Sequence, residues 1–204
     1  MAGETDISIC SSALILLGQP AIASFTEDSD AARTCAQLYE TQKAALLAAY
    51  PWAFSKKKVQ LARLVTAPIS GWSYQYTMPT DRVGEAFAVF SSSAVGARPI
   101  LEYDIQAGRL LAGATELWLD YQYNADEADM PAHFVQLLVF VLASIFAEPV
   151  TEVTSKSAYW HEIAYGNPSD NMRGGYFRTA VGIDGRGHPN QAINSDELIN
   201  VRFA

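Results

Sequence analysis

The sequence predicts an α+β protein, mainly a helical bundle with a β-rich insertion and an extended C-terminal arm. Three observations predict it. Apolar residues recur at three- and four-residue steps in stretches near the N-terminus and again after residue 130, the mark of helices with one buried face. Between them, Trp72, Tyr74 and Tyr76 alternate with Ser73, Gln75 and Thr77, and Leu117, Leu119, Tyr121 and Tyr123 alternate with Trp118, Asp120 and Gln122, which is the period of a strand. Beyond Asn171, glycine and polar residues dominate and apolar residues become too sparse for an independent core. The expected division is one domain over 1–172, with a helical body at 1–65 and 127–172 and an insertion at 66–126, followed by an arm over 173–204.

The elements follow in order. Thr5 or Asp6 caps a first helix, near 6–17, that buries Ile7, Cys10, Leu14 and Leu17. Gly18 and Pro20 stop it. A link with Ile22 and Phe25 leads to a second helix, near 29–50, capped by Ser29 or Asp30. Its apolar face carries Ala31, Ala32, Cys35, Leu38, Tyr39, Leu46, Ala49 and Tyr50. Pro51 disfavours a helical Tyr50 and supplies no N–H, so this helix ends there. Trp52 and Phe54 place two large rings at the resulting corner. Lys56, Lys57 and Lys58 follow, then Val59, Leu61 and Leu64 on a strand or a short helix. Ala86–Phe90, Ile100–Ile105, Arg109–Leu111 and Glu116–Tyr123 read as further strands. Pro131 suits the first turn of a third helix, near 131–147, apolar nearly all round and therefore central. Its most apolar run, Phe134–Ala147, falls short of the roughly 20 residues that cross a bilayer, and Pro149 ends it. A fourth helix, near 152–165, turns Tyr159, Trp160 and Ile163 inward. In the arm, Tyr176, Phe177 and Phe203 are among the few large apolar residues and suit docking on a neighbouring surface.

Composition narrows the chemistry. The net charge is −8 and the isoelectric point near 4.8, which opposes a non-specific grip on nucleic acid, since that grip rests on Lys and Arg neutralising phosphates. Cys10 and Cys35 lie on apolar helix faces and read as reduced core residues of a cytoplasmic chain. The opening residues lack the basic start and apolar core of a secretion signal. Neither a phosphate-binding loop nor a Gly-x-Ser-x-Gly elbow occurs. His133, His161 and His188 fall in separate elements, and His161 and Glu162, as helix neighbours, point about 100° apart. No cofactor or metal is therefore expected. Asp120, Asp126, Glu127 and Asp129 form the densest acidic group, and a rival reading takes a pair of them as the acid and base of a glycan hydrolase. The lysine run suits phosphate or an acidic partner. Trp72, Tyr74, Tyr76, Trp118, Tyr121 and Tyr123 make the insertion rich in the residues that protein interfaces favour.

Ile9–Leu64 contains a helix with Ala-Leu ahead of Leu17-Gly18, the link with Ile22 and Phe25, an Ala31-Ala32-Arg33…Cys35…Leu38-Tyr39 helix, and Pro51-Trp52-Ala53-Phe54 followed by basic residues. Gly71–Asp81 adds an aromatic-Tyr-x-Tyr…Pro-x-Asp segment. In this order the motifs resemble the tail tubular protein A family, the head-to-tail adaptors of short-tailed bacteriophages. The resemblance covers the first 81 residues closely and the later elements in outline only. It implies a structural virion protein without enzymatic activity, forming a dodecameric ring that joins the portal to the tail nozzle or tail tube and lines the channel for double-stranded DNA. It implies assembly in the host cytoplasm and no membrane partner. On this reading Pro51, Trp52, Phe54, Trp72, Tyr74, Tyr76, Trp118, Tyr176, Phe177 and Phe203 are structural or interface residues, and Lys56, Lys57 and Lys58 contact the channel or the portal.

Overall fold

The computed structural model describes residues 4–171 and 174–187. Five α-helices and two small antiparallel sheets make a mixed α and β fold. The first helix, α1 (Asp6–Leu16), opens with a reciprocal cap: the Thr5 hydroxyl accepts the Ser8 N–H at 3.1 Å, and the Ser8 hydroxyl accepts the Thr5 N–H at 2.9 Å. The Ser29 hydroxyl caps α2 (Asp30–Ala48) by accepting the Ala32 N–H. Next in the helical series come α3 (Ala132–Thr151), α4 (Thr154–Tyr165) and α5 (Gly175–Gly185). Ten residues of α3 are buried, because α1, α2, α4 and α5 all pack against it. That arrangement accounts for a helix apolar nearly all round. By length and composition α3 could cross a membrane, with a mean hydropathy of 1.9, and 56% of that stretch is buried among its neighbours.

Six strands lie between α2 and α3 in sequence: β1 (Lys56–Gln60), β2 (Tyr74–Thr77), β3 (Arg82–Phe90), β4 (Tyr103–Gln106), β5 (Arg109–Ala112) and β6 (Trp118–Tyr123). One sheet has the order β1-β6-β3 and the other β2-β5-β4. Val89, Leu119 and Tyr121 of the first sheet and Tyr76, Leu110 and Ala112 of the second share an apolar cluster, separate from the one the helices enclose. Each side of the molecule therefore has its own core.

Several expectations change. The lysine run forms β1 itself, within the stretch assigned to the helical body. A strand of three consecutive lysines is sustained because it lies at a sheet edge with its ammonium groups over aromatic rings. The long helix does not stop at Pro149 but runs to Thr151. Pro149 supplies no N–H for the Ile145 carbonyl, a single lost bond that does not stop this well-buried helix, and Glu152, at φ 56°, accomplishes the stop. Tyr159 is 58% exposed rather than inward, whereas Trp160 stacks on Phe140 at 5.7 Å. Ala49 is exposed. Gln75 is buried on the outer face of its sheet; it donates to the Thr66 carbonyl and accepts from Arg109. The expected extended arm begins as a helix: α5 buries Phe177 and Ala180 in the helical core. Residues 188–204 of that arm lie outside the described residues.

The two cores meet at the corner after α2. Trp52 is completely buried there, edge-on to Phe134 at 5.1 Å and to Phe177 at 6.0 Å. Its indole N–H donates to the Leu46 carbonyl at 3.0 Å. From the sheet side, the buried Gln122 amide nitrogen lies 2.7 Å from the Leu47 carbonyl and 2.8 Å from the Ser55 hydroxyl. We expect Trp52→Ala to destabilise the protein by about 3–5 kcal/mol, the range for deleting a fully buried large aromatic ring, measured as a lowered midpoint in urea denaturation. A loss below about 1 kcal/mol would contradict this packing.

Candidate functional site

The residues singled out from the sequence divide by environment. Trp52, Tyr76 and Phe177 are buried. Phe54, Trp72, Tyr74, Trp118 and Tyr176 are half-buried, and Pro51 is exposed. Tyr76 donates its hydroxyl to the Ala114 carbonyl. Tyr74 carries the Arg63 guanidinium over its ring at 5.0 Å. Tyr176 meets Phe140 edge-on at 5.3 Å. Phe203 lies outside the described residues. Most of this set builds the two cores and their junction and leaves only part of its aromatic surface to a partner.

The lysines are brought together, on both faces of one edge strand. Pairing in register with Tyr121, Lys57 reaches Asp81 at 3.2 Å and lies over the Tyr123 ring at 5.3 Å. Lys58, opposite Asp120, lies 3.5 Å from that carboxylate and 3.8 Å from the Phe90 ring centre. Asp120 Oδ1 has no hydrogen bond of good geometry, so the attraction to Lys58 is that of charges rather than of an aligned donor. Lys56 approaches the exposed Phe87 ring at 5.9 Å. With Pro51, Phe87 and Asp120, the three lysines line an open surface cavity of about 550 Å³. Burial opposes the Asp81 charge, but hydrogen bonds from Tyr121 and Lys57 outweigh it and hold this carboxyl below its usual value.

The acidic group is not one site. Asp120 faces Lys58 on the sheet, and Asp126 and Asp129 are exposed. Glu127, in a short helical turn before α3, is engaged by two residues of α2: Lys43 at 2.7 Å and the Tyr39 hydroxyl at 3.0 Å. Lys43 is buried at 4% exposure. Burial raises the Tyr39 phenol above its usual range, and the Glu127 charge raises it further, so this hydroxyl remains a donor. For Glu127, burial pushes the carboxyl up, but the Lys43 hydrogen bond and charge prevail and hold it below its ordinary value. Sequence reading passed over this clamp. The signal was Lys43 itself, four residues after Tyr39 and three before Leu46, a cation inside the apolar stripe of α2.

At the corner, Asp184 of α5 accepts the Ala53 N–H at 3.0 Å and lies 3.7 Å from His133 Nε2. Cys10 and Cys35 are buried free thiols. Among the described residues no group of three or more His, Cys, Asp or Glu side chains is arranged to hold a metal ion. No protein-family model matches the chain, and no curated protein sequence is significantly similar to it.

The clamp has a pH signature. Because the folded Glu127 carboxyl is held below its ordinary value, its contribution to stability is complete above the ordinary carboxylate range and is lost as pH falls through the depressed folded value. Glu127→Gln leaves a buried ammonium uncompensated, and we expect a cost of about 3 kcal/mol at neutral pH. The variant's urea midpoint should also fall less than the wild type's as pH drops below the ordinary carboxylate range. Parallel pH curves for the two proteins would contradict the assignment.

Proposed function

We propose that this chain is a structural virion protein, a head-to-tail adaptor that assembles as a homo-oligomeric ring. On this reading the ring is dodecameric, joins the portal to the tail nozzle or tail tube of a short-tailed phage, and lines the channel that double-stranded DNA crosses. Its place is the virion tail, after assembly in the host cytoplasm, with no membrane partner and no catalytic role.

One observation carries the reading. The two stretches that resemble the adaptor family form the mechanical frame of the fold: Ile9–Leu64 supplies α1, α2, the Trp52 corner and β1, and Gly71–Asp81 supplies β2 and the passage to β3. On this reading the sheet pair, which lies between α2 and α3 in sequence, is an insertion in the helical body oriented by the corner. A two-cored subunit with a fixed angle between the cores offers different faces to different neighbours, as a head-to-tail ring requires. The net charge of −8 suits a channel wall that lets phosphates pass without retention. Lys56, Lys57 and Lys58 are the local exception, and their pairing with Asp81, Asp120 and aromatic rings tempers their pull on a phosphate backbone.

The arm beyond α5 is assigned to a neighbouring subunit or to the portal. Because Phe177 and Ala180 belong to the helical core, deletion must begin after residue 187 to leave the subunit intact. Native mass measurement and negative-stain imaging, with and without portal, test both parts of the proposal. Removing residues 188–204 should leave a folded subunit that forms rings or binds portal more weakly. Unchanged assembly would remove the arm's role. A wild-type chain that stays a compact monomer and never binds portal would overturn the adaptor reading.

A further inference from the structure

Charge and apolar exposure are distributed unequally between the two halves of the molecule. Residues 56–123 carry seven Lys and Arg against six Asp and Glu, whereas the remainder of the chain carries seven against sixteen. The sheet pair is therefore weakly basic, and the described residues outside it, with five Lys and Arg against fourteen Asp and Glu, carry the excess acid on the helical side. Val65, Ile69 and Val95 are fully exposed and Leu101 is 89% exposed. They occupy two loops, 61–73 and 91–102, and these loops leave the same end of the β1-β6-β3 sheet, where Gln60, Trp118 and Phe90 stand in register. The opposite end of that sheet, marked by Lys56, Arg82 and Tyr123, adjoins the helices. Arg63 and Arg98 lie in the same two loops, are exposed, and have no ion-pair partner among the described residues. Arginine is enriched at protein interfaces, and the core of an interface patch is more apolar than the surface around it.

We infer that the tip formed by loops 61–73 and 91–102 docks on the acidic helical body of a second copy of this chain. The contact is head-to-tail: one copy presents its apolar tip, with Arg63 and Arg98 against a single Glu102, and the next its acid-rich helices. Like-charge repulsion disfavours helical body against helical body, and the tip brings to the contact both its guanidinium groups and the apolar surface that a lone subunit leaves in water. Such a heterologous contact closes into a ring when the rotation between copies permits. The inference rests on the ring-forming reading and names the surface through which the ring would form.

The test follows the full chain by sedimentation velocity and native mass measurement over a range of concentrations, alone and with portal. Two variants are compared with wild type, Arg63→Glu with Arg98→Glu and Val65→Asp with Ile69→Asp, each checked for an unchanged far-ultraviolet circular dichroism spectrum. These side chains are exposed, so the fold should be retained. Each variant is expected to need at least a tenfold higher concentration to assemble. If wild type assembles and both variants assemble equally well, the tip is not the contact and the ring reading stands without it. If wild type stays monomeric under every condition, the ring reading itself fails and the inference falls with it.

Discussion

The fold depends on how α2 ends. A helix leaves its last carbonyls without intrahelical partners, and the last turn of α2 carries no basic side chain to meet them. Pro51 interrupts the chain before a glycine-type cap can form. The Leu46 carbonyl is taken instead by the Trp52 indole, and the Leu47 carbonyl by the Gln122 amide of β6. One helix terminus is thus completed by the corner and by the distant sheet together. Because both donors are buried, neither bond can be exchanged for water without opening a core. The angle between helices and sheets is set by this completion. The rings of Phe134 and Phe177 around Trp52 then bring α3 and α5 onto the same point.

Around that point polar groups tie elements that the apolar cores alone would leave adjustable. Glu127 joins the segment before α3 to α2 through Lys43 and Tyr39. Asp184 joins α5 to the corner through the Ala53 N–H. Asp81 joins the start of β3 to β6 and β1 through Tyr121 and Lys57. Of the acidic group, Asp120 and Glu127 face lysines and Asp126 and Asp129 are exposed, while exposed arginines and aliphatic side chains stand at the far loops.

Much of the helical part was legible in the sequence, because caps, periodicity and proline placement are local signals: Thr5, Ser29 and Pro51 each act where the local rule puts them. Pro149 and Tyr159 departed from expectation because tertiary packing and helix-end position override propensity. The β1 strand was hidden by composition. Three lysines carry no strand signal of their own, and their support comes from Phe87, Phe90 and Tyr123 on strands that are distant in sequence. Low apolar density also obscured α5, since of its apolar side chains only Phe177 and Ala180 are buried, with Tyr176 and Val181 half-buried against the helical core. The Glu127 clamp and the Gln122 contacts join residues more than 65 positions apart, and no local pattern announces such partners.

The central claim is that the Trp52 corner orients the sheets as well as stabilising the helices. Native-state hydrogen exchange on Trp52→Ala tests it most directly, by comparing protection in α3 with protection in β6 and β3. The account predicts that protection falls in both regions, because losing the corner disturbs the α2 end that Gln122 also completes. Loss confined to α2, α3 and α5, with β6 and β3 protected as in wild type, would contradict it and reduce the corner to a simple connection.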